Sequence, residues 1–147
     1  MPEKRTIARA KKDKREGKSP STQAGEFVRE EIHHLREGKH GARSTEQAIA
    51  IGLSKARRAG VDLEAPAKGT TSSATRKRAK ADLRKGHATK KKRPSPKRSR
   101  AAKQALKREP RRAASSRALS RHAKKVAPRA AATRRRHTKK RASKSAH

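Results

Sequence analysis

The main constraint on how this chain can fold is that positive charge far outnumbers large apolar side chains. The 147 residues include 46 Lys and Arg but only 12 Asp and Glu, while Leu, Ile, Val and Phe together number 14. A chain with this much charge and so few large apolar residues buries too little apolar area to offset the entropy lost on folding. We therefore expect a mainly disordered protein with a small all-α part.

Charged and apolar residues are unevenly distributed along the chain. Residues 1–64 hold 15 basic and 10 acidic residues, whereas residues 65–147 hold 31 basic and 2 acidic ones. Nine of the 14 large apolar residues lie within 27–63. This distribution predicts a basic N-terminal segment over 1–20, as helix or coil, a helical core over 21–64, and a disordered Lys/Arg/Ala/Ser/Pro tail after it.

Regularly spaced apolar residues predict a first helix over about 22–37. Ser21 or Thr22 can cap its start, and Gly38 can end it in the left-handed conformation. The apolar positions recur every three or four residues, as one helix face requires: Ala24, Phe27, Val28, Ile32 and Leu35.

Both ends of a second helix, over about 45–59, are marked in the sequence. Ser44 and Gln47 match a capping box, and Gly60 can take the closing left-handed position. The two helices predict a helical hairpin of about forty residues, below the size at which a chain readily folds alone. We therefore expect the hairpin to form a homodimer or to fold on binding a partner.

The tail after residue 64 is the strongest indication of function. Its Ala, Lys and Arg residues favour helices while like-charge repulsion opposes them, so we expect nascent helices between its prolines. A polycation of this density binds phosphate polymers by releasing their counterions. It lacks the apolar face of a membrane-surface helix, so we expect no membrane partner. Because the chain has no Tyr or Trp for base stacking, duplex DNA is the favoured partner, with RNA as the alternative.

The basic residues predicted to contact phosphate fall into two groups. Three lie in the last turn of the second helix, where neutralising the helix dipole is the alternative role: Lys55, Arg57 and Arg58. The others lie in the tail: Lys90, Lys91, Lys92, Arg93, Lys97, Arg98, Arg111, Arg112, Arg134, Arg135, Arg136, Lys139, Lys140 and Arg141.

Residues for metal or catalytic chemistry are not evident in the sequence. His33 and His34 are adjacent and so point to different sides of their helix, and His40 lies in the following loop. With no Cys and no acidic partner at metal-ligand spacing, we expect no metal and no cofactor. No scaffold is recognisable that would hold a nucleophile beside a base, so we expect no enzyme activity. Without an apolar run of membrane-spanning length, we expect a cytoplasmic protein.

The stretch REGKHGARSTEQAIAIGLSKARRAG, residues 36–60, resembles a family of small basic bacterial proteins of unknown function. Members share a Gly-rich connection followed by a Ser-capped helix ending in Ala-Gly. The coinciding positions are Gln47, Ile49, Ile51, Gly52, Leu53, Ala56 and Arg57. Some members have the composition of DNA-binding proteins, which is what the resemblance implies here.

The tail separately resembles the tails of linker histones and bacterial histone-like proteins in composition, and Ser95-Pro96-Lys97-Arg98 resembles their Ser-Pro-basic-basic turns. We therefore expect a histone-like, nucleoid-associated protein that neutralises and compacts DNA non-specifically. Two alternatives stay open at this point. One is an RNA- or ribosome-associated basic protein, and the other is a protein-interaction module localised by a nucleic-acid-binding tail.

Overall fold

The computed structural model describes residues 2–89 and 95–127, which form an all-α fold without a β-strand. No helix in this part of the chain has the length and apolar character needed to cross a membrane. The elements follow in chain order: α1 (Lys4–Arg15), α2 (Pro20–Arg36), α3 (Thr45–Arg58), α4 (Ser73–His87), α5 (Pro96–Arg108), a 3-10 turn (Arg112–Ala114) and α6 (residues 116–127).

The expectation of a mainly disordered chain built around a helical hairpin is wrong. Helical residues make up 71% of the described chain. Helices α2 and α3 occupy the positions of the two predicted helices, but α1 packs against α2 and α4 packs against α3. Helices α4, α5 and α6 all lie in the segment predicted to be a disordered tail. The rest of that segment, 90–94 and 128–147, lies outside the described residues.

The expectation failed because the core is built mainly from alanine. Eight of the eleven hydrophobic residues buried in the described part of the chain are Ala, the others being Phe27, Leu35 and Val61. Alanine contributes little apolar area, but it loses no side-chain entropy on burial and lets helices approach closely. A count restricted to Leu, Ile, Val and Phe therefore underestimated how much of the chain can pack.

One apolar cluster ties the segment after α5 to the first half of the chain. Ala113 and Ala114 of the 3-10 turn are buried against Leu35, Ala42 and Ala48. The carbonyl oxygens of these two alanines are also bonded, to the Thr45 hydroxyl at 2.8 Å and to the Arg36 Nε at 3.0 Å. The contacts satisfy backbone groups that burial would otherwise leave unpaired. The 3-10 turn within the predicted tail is thus part of the same core as α2 and α3.

A second cluster joins α1, α2 and α3 around the chain's single aromatic side chain. Phe27 is 1% exposed and packs with Ala10, Ala24, Ala56 and Val61. Since α1, α4 and the 3-10 turn of the same chain cover α2 and α3, the physical reason for expecting a homodimer through an exposed hairpin disappears.

Glycines set the distance between α3 and its two neighbouring helices. A Cβ at Gly52 would lie 2.7 Å from the Val28 Cα, and a Cβ at Gly86 would overlap the Arg57 carbonyl oxygen. Real side chains cannot be accommodated so close without moving backbone. Helix α3 therefore contacts α2 and α4 backbone to backbone at these points.

Helix ends were mostly foreseen from the sequence. The Ser44 hydroxyl accepts from the Gln47 N–H at 3.1 Å, and Gly38 and Gly60 have positive φ angles, so these predictions are confirmed. The start of α2 was placed incorrectly, since Ser19 caps it. The stretch Ser95-Pro96-Lys97-Arg98 begins α5, with Pro96 in the first turn, where its missing N–H costs nothing.

Replacing Gly52 with Ala is expected to destabilise the protein although Ala is the better helix former. The new methyl group would push against the Val28 backbone, and we expect a net loss of about 1–3 kcal/mol in the free energy of unfolding. Gly25→Ala is the matched control, because Gly25 lies within α2 and a methyl group added there would meet nothing within 4 Å. That change should stabilise by about 1 kcal/mol. Urea unfolding measures both, and equal stabilisation would contradict the close contact.

Candidate nucleic-acid interface

The acidic residues are almost all used in ion pairs within the described chain. Eleven of the 12 carboxylates, all except Glu64, lie within 4.0 Å of a basic nitrogen. None of these pairs involves a Lys or Arg of α4 or α5. The basic side chains of these two helices therefore lack a carboxylate partner among the described residues.

Helix α5 exposes positive charge along its whole length. It contains six Lys and Arg, no acidic residue and no buried side chain, and it packs against none of the helices α1 to α4. Ser99 and Leu106 are half-buried on one side. With 3.6 residues per turn, Lys97 and Arg108 lie opposite these two residues and the other basic residues lie around the rest of the exposed surface. All six are exposed: Lys97, Arg98, Arg100, Lys103, Lys107 and Arg108.

The C-terminal end of α5 is fixed to the loop after α2. The Gly41 N–H donates to the Leu106 carbonyl at 2.8 Å, and the Ala42 N–H donates to the Pro110 carbonyl at 3.0 Å. A Cβ at Gly41 would collide with the Glu109 carbonyl oxygen, so the two chain segments are in backbone contact. The basic helix is thereby held to the folded core at one end.

Helices α4 and α6 also turn basic residues outward. On α4, Ala79 is buried and the exposed face carries five cations: Lys77, Arg78, Lys80, Arg84 and Lys85. On α6, His122 and Lys125 lie near Glu46 of α3, whereas the other basic residues are exposed: Arg117, Arg121 and Lys124.

The structure distributes the predicted phosphate contacts among several places. Lys97 and Arg98 lie exposed on α5, and Arg111 and Arg112 lie exposed at the 3-10 turn. The remaining predicted tail residues are outside the described chain: Lys90, Lys91, Lys92, Arg93, Arg134, Arg135, Arg136, Lys139, Lys140 and Arg141.

The three cations predicted on the second helix are all engaged by the fold. Arg57 is 6% exposed, and its guanidinium donates to the carbonyl oxygens of Leu63 and Glu64, both at 3.0 Å. Burial lowers the pKa of Arg57. Lys55 is paired with buried carboxylates of α2, and Arg58 lies 3.5 Å from the Asp82 carboxylate. Their surroundings correspond to structural roles.

Sequence reasoning missed the basic face of α4. The sequence contains a helix-start residue at Ser72, a type that favours the N-cap position. In the structure the Ser72 hydroxyl accepts from the Thr75 N–H at 3.2 Å. The cations at Lys77, Lys80 and Arg84 then recur at helical spacing opposite the small residue that faces α3. Treating the segment as disordered hid this periodicity.

A second charged site, within the core, was also missed. Glu31 and His34 are three residues apart on α2, and His40 of the following loop lies against them. One ligand-type atom from each residue lies within 4.8 Å of the others. The expectation that the histidines have no acidic partner overlooked the Glu31-x-x-His34 spacing, which places both side chains on one face of a helix.

Arg57 and Arg58 differ in a way that stability measurements can distinguish. Arg57→Gln removes two charge-assisted hydrogen bonds from a buried position, and we expect the free energy of unfolding to fall by about 2–3 kcal/mol. Arg58→Gln is the matched control, because the Arg58 side chain is 52% exposed and surface ion pairs contribute less than about 1 kcal/mol. Urea denaturation of both variants is the measurement. Equal losses would contradict the structural role of Arg57.

Comparison with protein-family models, with curated proteins and with solved structures finds no match for this chain.

Proposed function

We propose that this chain is a histone-like, nucleoid-associated protein that binds duplex DNA without sequence preference through the basic faces of α4, α5 and α6. The observation that supports this most directly is the segregation of charge. Carboxylates are paired within the fold, mainly around α1, α2 and α3, whereas no Lys or Arg of α4 or α5 makes an ion pair among the described residues. Uncompensated positive charge on ordered helices attracts a polyanion.

Helix α5 has the shape and charge density needed to neutralise phosphates. Its 13 residues extend about 20 Å, and duplex DNA presents a negative charge about every 1.7 Å along its axis. Each exposed cation of α5 can therefore pair with a phosphate at many different positions along the duplex. Binding of this kind releases condensed counterions and depends steeply on salt.

The absence of exposed aromatic side chains favours a duplex over single strands. The chain has no Tyr or Trp, and its one Phe is buried in the core. Proteins that bind single-stranded nucleic acid generally stack bases on aromatic residues. Phosphate contact is therefore the principal mode available to this chain, and it carries no sequence information by itself.

The sequence after α6 contains further basic residues that can contact phosphate. Residues 128–147 contain eight Lys and Arg and no acidic residue. Together with the basic helices, these cations allow one chain to neutralise many phosphates. Such neutralisation reduces the repulsion between duplex segments, which is the physical basis of compaction.

The salt dependence of binding by the full-length chain tests this proposal. For about ten phosphate contacts, log affinity should fall with log salt with a slope near −9 on duplex DNA, and two unrelated duplexes should differ by only a few-fold. Removing four cations from α5 should make the slope shallower by about 3 to 4. The α5 variant carries Lys97→Gln, Arg100→Gln, Lys103→Gln and Lys107→Gln.

A matched control removes four basic residues from α1 that make no ion pair within the described chain. It carries Lys4→Gln, Arg5→Gln, Lys11→Gln and Arg15→Gln, so its net charge equals that of the α5 variant. Its slope should stay within about 1 of the parent value. Equal losses in both variants would contradict an interface on α5. A hundredfold preference for one duplex, or for duplex RNA of the same sequence, would contradict the proposal of non-specific DNA binding.

A further inference from the structure

Two adjacent carboxylates on α2 are buried with a single lysine between them. The side chains of Glu30 and Glu31 are 2% and 1% exposed. Lys55 of α3 lies 2.5 Å from Glu31 Oε2 and 3.8 Å from Glu30 Oε1. One ammonium cannot neutralise two carboxylates, and an unpaired charge in the interior is strongly unfavourable. The site can therefore accommodate one more positive charge.

The second oxygen of Glu31 indicates where that charge belongs. Glu31 Oε1 is buried and has no hydrogen-bond partner within the described chain, although His40 Nε2 lies only 3.1 Å away. On the other side of the ring, His40 Nδ1 lies 3.1 Å from the Gly41 carbonyl oxygen, which can only accept, so Nδ1 carries the proton. In a neutral His40 ring, the Nε2 lone pair would then face a carboxylate oxygen.

A third ligand lies beside these two. His34 stands one helical turn after Glu31, and its ring meets the His40 ring edge to face at 6.2 Å between centroids. The Glu3 Oε1 lies 2.9 Å from His34 Nε2 and orients the ring, and this hydrogen bond lowers the pKa of Glu3. Ligating histidines characteristically have such a carboxylate or carbonyl partner on the other ring nitrogen.

We propose that Glu31, His34 and His40 form a binding site for one zinc ion. Two imidazoles and one carboxylate are a donor set that zinc prefers, with a water molecule in the fourth tetrahedral position. A divalent cation at Glu31 Oε1 adds the positive charge that Lys55 alone cannot provide for the two carboxylates. The three ligand atoms are already within 4.8 Å of one another, and His40 also lines a surface pocket.

Zinc titration of the untagged, chelator-treated full-length chain tests the site by calorimetry. The parent protein should bind one zinc ion per chain at this site, and zinc should raise its unfolding temperature. His34→Gln and His40→Gln should each weaken binding at least tenfold. His33→Gln is the matched control, because His33 neighbours His34 in sequence but pairs with Glu37 on the exposed side of α2, and it should bind zinc like the parent.

Ring-nitrogen NMR of the unmodified protein provides a readout that does not depend on any variant folding. On adding one equivalent of zinc, the signals of His34 and His40 should shift by coordination while those of His33 should not. The absence of zinc binding by the parent would overturn the proposal. Equal weakening by His33→Gln, or coordination shifts confined to other histidines, would overturn it as well.

Discussion

The close approach of α2 and α3 is the contact on which the rest of this structure depends. At Gly52 the two backbones are so near that a methyl group has no room, and Ala24, Ala56 and Phe27 fill the space beside this contact. Small residues make such an approach possible because they lose little side-chain entropy on burial and occupy little volume. The same proximity brings Lys55 of α3 against the buried carboxylates of α2.

Scarcity of acidic residues determines where positive charge stays exposed. With 12 carboxylates for 46 basic residues, pairing can reach only a minority of the cations, and among the described residues it is concentrated around α1, α2 and α3. Helix α5 has no acidic residue at all. The folded chain therefore carries a strongly cationic helix, α5, whose Lys and Arg have no carboxylate partner among the described residues. This is why we propose that α5 contacts nucleic acid.

The loop after α2 connects the core cluster with the basic helix. His40 points to Glu31 inside the core, while the next residue, Gly41, donates its N–H to the carbonyl of Leu106 at the end of α5. A zinc ion at the cluster would thus order the loop to which the basic helix is attached. The two proposals rest on different residues, since no zinc ligand belongs to the basic faces.

The sequence by itself determined the net charge, the positions of α2 and α3, the Ser44 cap and the glycine ends, because local spacing and composition govern these features. Only the tertiary structure decided that α4 and the 3-10 turn pack against the first half of the chain. Whether Ala113 is buried depends on its neighbours in the fold, and no periodic spacing of large apolar side chains predicts its burial. Likewise, Glu31 and His34 are close by helical spacing, but His40 joins them only because the loop folds back.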